Sequence, residues 1–333
     1  MIDRLAPWLR ASTGDYGDVV ALGECLSDLR RDGLDQLPLP GGGQTLARFR
    51  ALAEVGGHDL ALCKLYEGHT DALAILAELE HAPVAVDATW GTWCAGGPRL
   101  EARQVNGGLQ LHGRKAWCSG AAVLSHALLT ATDVEGRQQL VAVALRQPGV
   151  EVTDQGWQAV GMARTRSVEV VFDGAHAQAV GGPEQYLTRP GFWQGGVGIA
   201  ACWFGAARRL GQVLQEHCQQ REEPHALAHL GAVDTALYGA GCVLREAAEQ
   251  IDLEPGADCQ LLARRVRAVV EHAVEQVIHH TGRALGAGPY CQNLPFARLI
   301  ADLPVFVRQS HAERDLAALG QLLRVSPTRT WSL

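Results

Sequence analysis

The chain has 333 residues, 47% hydrophobic and 20% charged, with 36 acidic against 29 basic residues and a formal net charge of −7. That apolar content excludes a disordered chain, and the acidic balance without a Lys/Arg-rich run excludes an electrostatic nucleic-acid binder. No stretch of about 18 uncharged apolar residues reads as a membrane span. The start, MIDRLAPWLRAST, carries Asp3, Arg4 and Arg10 and lacks the apolar core of a secretion signal, so a cytoplasmic location is expected. Nine cysteines, odd in number and without a Cys-x-x-Cys, predict buried free thiols rather than disulfides or a zinc site.

Residues 1–83 read as helical. Val20, Leu22, Cys25 and Leu29 give Val19–Arg31 one apolar face, and the breaker run Leu37–Gly43 follows. A second helix carries Leu46, Phe49, Leu52 and Val55 and is expected to end at Gly56-Gly57; a third covers about Leu60 to Leu79. Near its start, Glu67, His69 and Asp71 read as capping or surface groups, or as lining for a cleft. The texture changes at Ala82-Pro83. Residues 84–188 show short alternating runs: 100–105, 109–112, 127–131, 139–145 and 167–172. Asn106-Gly107 between two of them is a strong hairpin signal, and the block is expected to be antiparallel β. From 189 to 333 the helical period returns in four long segments, the last from about Leu303 to Leu323, which predicts an up-down bundle.

Eight Trp stand against six Phe and five Tyr, and six of the Trp lie between Trp90 and Trp203. Such clustering fits a flat ligand or a Trp-rich core equally well. Gly196-Val-Gly-Ile-Ala-Ala201 matches G-x-G-x-x-A but follows no strand, so close helix packing is expected there rather than a dinucleotide site. His279-His280 lack the spacing of a metal site.

Several segments in order carry a family likeness. They are Leu37–Gly43 before a helix, Leu109-Gln-Leu-His-Gly-Arg-Lys-Ala-Trp-Cys-Ser-Gly120, Gly161-Met-Ala-Arg-Thr-Arg-Ser-Val-Glu-Val-Val-Phe-Asp173, Arg221, and Thr281-Gly-Arg-Ala-Leu-Gly-Ala-Gly288. Together they resemble the acyl-CoA dehydrogenase (ACAD) family over nearly the whole chain. The resemblance implies an α+β fold: an N-terminal helical domain (1–83), a middle antiparallel β-barrel or sandwich (84–188) and a C-terminal four-helix bundle (189–333). It also implies FAD between the last two domains. By this likeness Trp117 lies against the flavin ring and the Ser119 hydroxyl, or its backbone N–H, meets flavin N5. Thr89 matches a Thr before a Gly-rich loop. Arg221, Arg283, Gly286 and Gly288 take the FAD pyrophosphate. The last turn usually reaches FAD in a neighbouring subunit, so a homodimer or homotetramer is implied.

The sequence also departs from the family. The dehydrogenase reaction needs a carboxylate base. By gapless alignment from Asp302 its position falls on Ser310, and the first bundle helix has no carboxylate near its start. His311 and Glu313 are the nearby candidates for a relocated base; the same residues also read as a helix start capped by Ser310. The loop from Thr89 to Gly97 lacks the family's Glu-Pro and Ser-Asp. The expected activity is FAD-dependent α,β-dehydrogenation of an acyl thioester, acyl-CoA or another. The alternatives are a flavin-dependent monooxygenase of the same fold acting on a small metabolite, and a non-catalytic relative.

Overall fold

A computed structural model describes residues 2–12, 16–80, 87–96, 100–105, 108–325 and 331. Four helices come first: α1 (Ile2–Ala11), α2 (Val19–Arg31), α3 (Thr45–His58) and α4 (Leu60–Glu78). α2 has the bounds its periodicity predicts. Asp18 Oδ1 accepts from the Val20 and Ala21 N–H groups at 3.0 and 2.9 Å, a side-chain cap, and Leu22, Cys25, Leu26 and Leu29 bury one face.

Seven strands follow: β1 (Trp90–Trp93), β2 (Leu100–Val105), β3 (Gly108–Cys118), β4 (His126–Thr132), β5 (Gln138–Ala144), β6 (Val150–Val152) and β7 (Val168–Ala179). They form one sheet in the order β1-β4-β2-β3-β7-β5, with β6 on β7 and a further β4–β5 pairing that closes the ring. Asn106 and Gly107 lie outside the described residues, but β2 and β3 pair antiparallel with Val105 opposite Gly108. The sheet is not wholly antiparallel, because β4 runs parallel to both β1 and β2. Those partners are not joined to β4 by tight hairpins, which is the condition parallel pairing requires.

Then come α5 (Gln185–Thr188), α6 (Gly191–Gln220), α7 (Pro224–Leu253), α8 (Gln260–Leu285), α9 (Gly288–Gln292), α10 (Leu294–Phe306) and α11 (Glu313–Val325). The segment expected as one helix over 303–323 is broken. α10 passes through a 3-10 turn at Val307–Gln309, and α11 starts only at Glu313. Ser310 is extended and Ala312 has φ +45°, so the helical hydrogen bonding stops between them.

The chain divides into two compact units, Met1–Leu39 with Ala61–Phe192, and Pro40–Leu60 with Trp193–Leu333. The expected boundary at Pro83 lies outside the described residues. In the first unit, Ala72, Ile75 and Leu76 of α4 pack with Trp90, Leu128, Leu140, Val180 and Tyr186, which places a helix on the sheet. In the second, α3 joins the C-terminal helices.

Gly56 and Gly57 do not end α3, which continues to His58. They serve close approach instead. A Cβ on Gly57 would stand 2.9 Å from Gly205 O, and one on Gly56 or Gly205 would overlap the backbone of Cys202 or Ala53. Of the Gly196 and Gly198 pair, only Gly198 meets a packed neighbour, Leu52 Cδ1 at 3.2 Å. The buried Thr45 starts α3, and Asp252 of α7 accepts from Gly43 N–H (3.0 Å), Thr45 N–H (2.9 Å) and Thr45 Oγ1 (2.6 Å), an anion at a helix N-terminus. Among the described helices α7 is long and apolar enough, by length and composition alone, to cross a membrane. Its Val233, Ala240, Leu244, Ala247 and Ile251 are buried in the helical unit.

Candidate functional site

In the sheet unit the distinctive residue is Trp117. β3 shifts register against β7 between Lys115 and Cys118, and Trp117 adopts φ +60°. Left-handed backbone is costly for a bulky residue and persists only where the surroundings enforce it. Here the flanking residues are anchored inward. Buried Lys115 donates from Nζ to Thr130 O (3.2 Å) and Oγ1 (3.0 Å), and burial lowers its pKa. Cys118 is buried and its thiol is pushed up by that burial. The bulge leaves the Trp117 indole 55% exposed.

Two residues on, Ser119 is buried, and both its N–H and its hydroxyl are hydrogen-bonded. Its N–H bonds Trp117 O at 3.0 Å, and its Oγ lies 2.7 Å from Ser167 Oγ. Ser167 Oγ in turn lies 2.8 Å from Thr165 Oγ1, which reaches Met162 O at 2.8 Å. The Ser119 carbonyl accepts from Trp93 Nε1 at 3.2 Å.

Thr89 is held mainly by Ser125, with the His126 N–H also donating to its carbonyl at 3.0 Å. Its N–H donates to Ser125 Oγ (2.9 Å), its Oγ1 accepts from Ser125 N–H (3.1 Å), and its carbonyl accepts from the Ser125 Oγ (3.0 Å). Gly97, at the end of the altered loop, lies outside the described residues. His69 is neither surface nor cap. It is fully buried in α4, where its Nδ1 accepts from Trp90 N–H at 3.1 Å. Nε2 therefore carries the hydrogen and donates to buried Asp35 Oδ2 at 3.1 Å. The other tryptophans divide the composition argument: Trp90, Trp93 and Trp203 are core, and Trp117 is exposed.

The helical unit holds a charged cluster around the break between α10 and α11. Ser310 is buried, and its Oγ donates to Glu271 Oε2 of α8 and accepts from Ala312 N–H at 3.2 Å. Arg308 Nη2 reaches Glu271 Oε1 at 2.7 Å and Glu275 Oε1 at 3.2 Å. His311 is exposed; its N–H donates to Asp315 Oδ2 at 2.9 Å and its Nδ1 lies 3.6 Å from the same oxygen. Arg264 holds the other Asp315 oxygen at 3.1 Å and lies over the Trp193 ring at 4.9 Å. Burial alone would raise the Asp315 pKa. The His311 N–H, with the charges of His311, Arg267 and Arg264, outweighs it and holds the carboxyl below its ordinary value. Arg267 donates to Gly196 O (2.8 Å) and Gln309 O (3.0 Å) and stacks over Trp203 at 4.8 Å, so it ties α6 to the break.

The two sequence candidates for a base thus differ. His311 has a carboxylate behind it, whereas Glu313 is an exposed residue in the first turn of α11. Glu271 was missed, because its partner Ser310 is 39 residues away and no local spacing joins them.

Arg221 follows the end of α6, and Arg283 lies in the last turn of α8, which Gly286 caps at φ +62° before Gly288 opens α9. Both arginines are exposed and share one end of the helical unit, where His229 Nδ1 of α7 meets His280 Nδ1 at 2.9 Å. Arg264 and Arg283 are nineteen positions apart on α8, about 28 Å along the helix, so this end is far from the His311 cluster. Among the described residues no group of three or more His, Cys, Asp or Glu is placed to hold a metal. Of the nine free cysteines, Cys25, Cys63, Cys118, Cys202 and Cys259 are buried as expected, but Cys291 is exposed.

No protein-family model matches the sequence, and no curated protein sequence matches it. Solved structures do. FMN-bound TdsC from Paenibacillus sp. A11-2 has a TM-score of 0.78 at 18% identity, covering 94% of this chain and 98% of that one. TdsC is a dibenzothiophene monooxygenase. Methanesulfinate monooxygenase MsuC from Pseudomonas fluorescens has a TM-score of 0.79 at 18% identity, covering 98% of each chain. A steroid ACAD variant has a TM-score of 0.78 at 19% identity, covering 97% of this chain and 96% of that one. The chain therefore has the acyl-CoA dehydrogenase-like fold. At these identities the likeness is one of fold, and it spans monooxygenases as well as an ACAD.

Proposed function

We propose that this chain is a flavin-dependent oxidoreductase that works as a monooxygenase on a small organic molecule. The observation that carries this reading is the Ser310–Glu271 contact. Where the resembled dehydrogenases need a free carboxylate base, this chain has a hydroxyl whose proton is committed. The carboxylate that takes it is only 12% exposed and is also held by Arg308. Abstraction of a proton beside a thioester carbonyl has no such base to use here. The monooxygenases TdsC and MsuC among the similar structures support the same choice.

The residues present fit a flavin ring. An exposed indole on a strained bulge offers a flat apolar face, and stacking there supplies area and excludes water. When bound, the flavin would supply the two-electron and oxygen chemistry. The chain's own groups do the rest. Ser119 meets the ring edge beside Trp117, and Thr89, locked to Ser125, backs the strand entry. His311 holds or moves a proton at its exposed ring, with Asp315 fixing its orientation. Arg221 and Arg283, with the Gly286–Gly288 turn, take a flavin phosphate: the pyrophosphate of FAD or the single phosphate of FMN, the flavin bound to TdsC. In the resembled family that turn serves a neighbouring copy, and its distance from the His311 cluster supports a homodimer or homotetramer.

The test is anaerobic titration of the flavin-loaded protein with acyl-CoAs of several chain lengths, followed by absorbance, and then oxygen uptake with reduced flavin. The expected result is no bleaching by any acyl-CoA and oxygen uptake that depends on reduced flavin. Bleaching by an acyl-CoA would replace this reading with the dehydrogenase one, with His311 as base. Trp117→Ala should weaken flavin binding about tenfold or more, the loss of an aromatic stacking contact and its buried area.

A further inference from the structure

The hydroxyl chain behind Trp117 has a direction. It contains three short O···O contacts: Ser119–Ser167 at 2.7 Å, Ser167–Thr165 at 2.8 Å and Thr165–Met162 O at 2.8 Å. Three hydroxyl hydrogens serve them, one on each side chain. The Met162 carbonyl can only accept, so the Thr165 hydrogen goes to it. Thr165 Oγ1 then accepts from Ser167, and Ser167 Oγ accepts from Ser119. Only this arrangement places one hydrogen in each contact. The reverse arrangement leaves Thr165 Oγ1 and Met162 O facing each other at 2.8 Å without a hydrogen, a repulsive buried contact even though Met162 O also accepts from Thr165 N–H and Trp157 Nε1 at 3.2 Å.

The Ser119 hydrogen therefore points inward, and the Ser119 N–H is bonded to Trp117 O. What Ser119 offers to a ligand is a lone pair. This runs against the expectation that Ser119 donates to a ring nitrogen.

We propose that the Ser119–Ser167–Thr165 relay makes Ser119 a hydrogen-bond acceptor toward its ligand, and so selects reduced flavin over oxidised flavin. Reduced flavin carries a hydrogen on N5 and can donate it; oxidised N5 carries none and can only accept. The inference rests on the reading that the flavin ring lies at Trp117 and Ser119. Ser167 and Thr165 touch no ligand; they are positioning residues that set the direction of one hydrogen. A site of this polarity suits an enzyme that takes up flavin already reduced.

The experiment measures the Kd of oxidised and of dithionite-reduced FMN and FAD, anaerobically, by quenching of tryptophan fluorescence, in the full-length protein. Wild type should prefer the reduced form by about three- to tenfold, the worth of one net hydrogen bond. That preference equals a rise of about 15–30 mV in the two-electron potential of the bound flavin. Thr165→Val keeps the side-chain volume but removes the inner end of the chain, so Ser167 can donate outward and Ser119 is freed to donate. Its preference should vanish or reverse. Thr165→Ser restores the hydroxyl and should restore the wild-type ratio. Ser167→Ala should behave like Thr165→Val. A merely structural role would weaken both flavin forms together and leave the ratio unchanged.

A wild-type ratio in folded Thr165→Val that binds flavin overturns the inference and leaves the flavin reading standing. Absence of binding of either form to the wild type overturns the flavin reading itself, and the inference with it.

Discussion

Two regions, one in each unit, hold their polar groups by different physics. Behind Ser119 in the sheet unit the chain that fixes its hydroxyl is neutral: three hydroxyls and a carbonyl. Around the α10–α11 break in the helical unit they are ionic: Arg264 with Asp315, and Arg308 with Glu271 and Glu275. Neutral chains polarise one another and are insensitive to salt and to pH near neutrality. Ion pairs that are partly exposed are screened and titrate. The difference implies that the hydroxyl chain behind Trp117 is set once on folding, whereas the charged cluster at the α10–α11 break responds to solution conditions.

The contrast can be tested from its largest expected effect downward. Gly205→Ala should cost about 3 kcal/mol or more, because the new methyl meets the Ala53 backbone and overpacking cannot relax there. A loss of less than about 1 kcal/mol by urea unfolding would show that α3 and α6 can separate cheaply. Next, His69→Phe should cost about 2 kcal/mol, since it strands the Trp90 N–H and removes one of the two hydrogen bonds to buried Asp35 Oδ2, leaving that from Gln36 Nε2. This loss should be the same at low and high salt, which an ionic origin would not allow.

Asp315→Asn tests the titrating cluster. The folded pKa of Asp315 lies below its unfolded value, so below that unfolded value the unfolded chain binds more protons. Its contribution is therefore complete above about pH 4 and is lost as pH falls through the lower folded value. The stability gap between wild type and Asp315→Asn, measured by urea unfolding, should shrink as pH drops below 4; a constant gap would remove the charge argument. The smallest effect is expected at His280. Burial, then the neighbouring His229, His279 and Arg283, lowers its pKa. Its contribution is present above about pH 6.5 and fades as pH falls through the folded value. His280→Phe should flatten the slope of stability between pH 6.5 and 5 slightly, and an unchanged slope would assign that slope elsewhere.

Much of the fold was legible because it rests on local rules. The period of Val19–Arg31, capped by Asp18, fixes α2 without help from the rest of the chain. The alternation of Leu100–Val105 does the same for β2. The readings that failed depend on partners far away. Gly56-Gly57 looks like a stop in isolation, and only the approach of α6 reveals a contact surface. The segment 303–323 reads as apolar helix on both sides of the polar run 308–315, and there the Arg267 bond to Gln309 O and the Ser310 bond to Glu271 hold the chain open. β1 was missed because four residues, one of them Gly, carry too short a pattern.

For the candidate site, the sequence by itself determined which residue types stand where. Trp117 precedes Ser119 near the end of a strand, a hydroxyl sits at the base position, and His311 follows it. The order of these residues is read from the chain, and the base position is what the family resemblance implies. Only the tertiary structure decided what those groups can do. It left Trp117 exposed on a left-handed bulge, turned the Ser119 hydrogen inward, tied Ser310 to Glu271 and put Asp315 behind His311. The physical reason is that the direction of a hydrogen bond and the availability of a carboxylate are properties of partners. Except for Asp315, those partners are brought in from distant positions by packing.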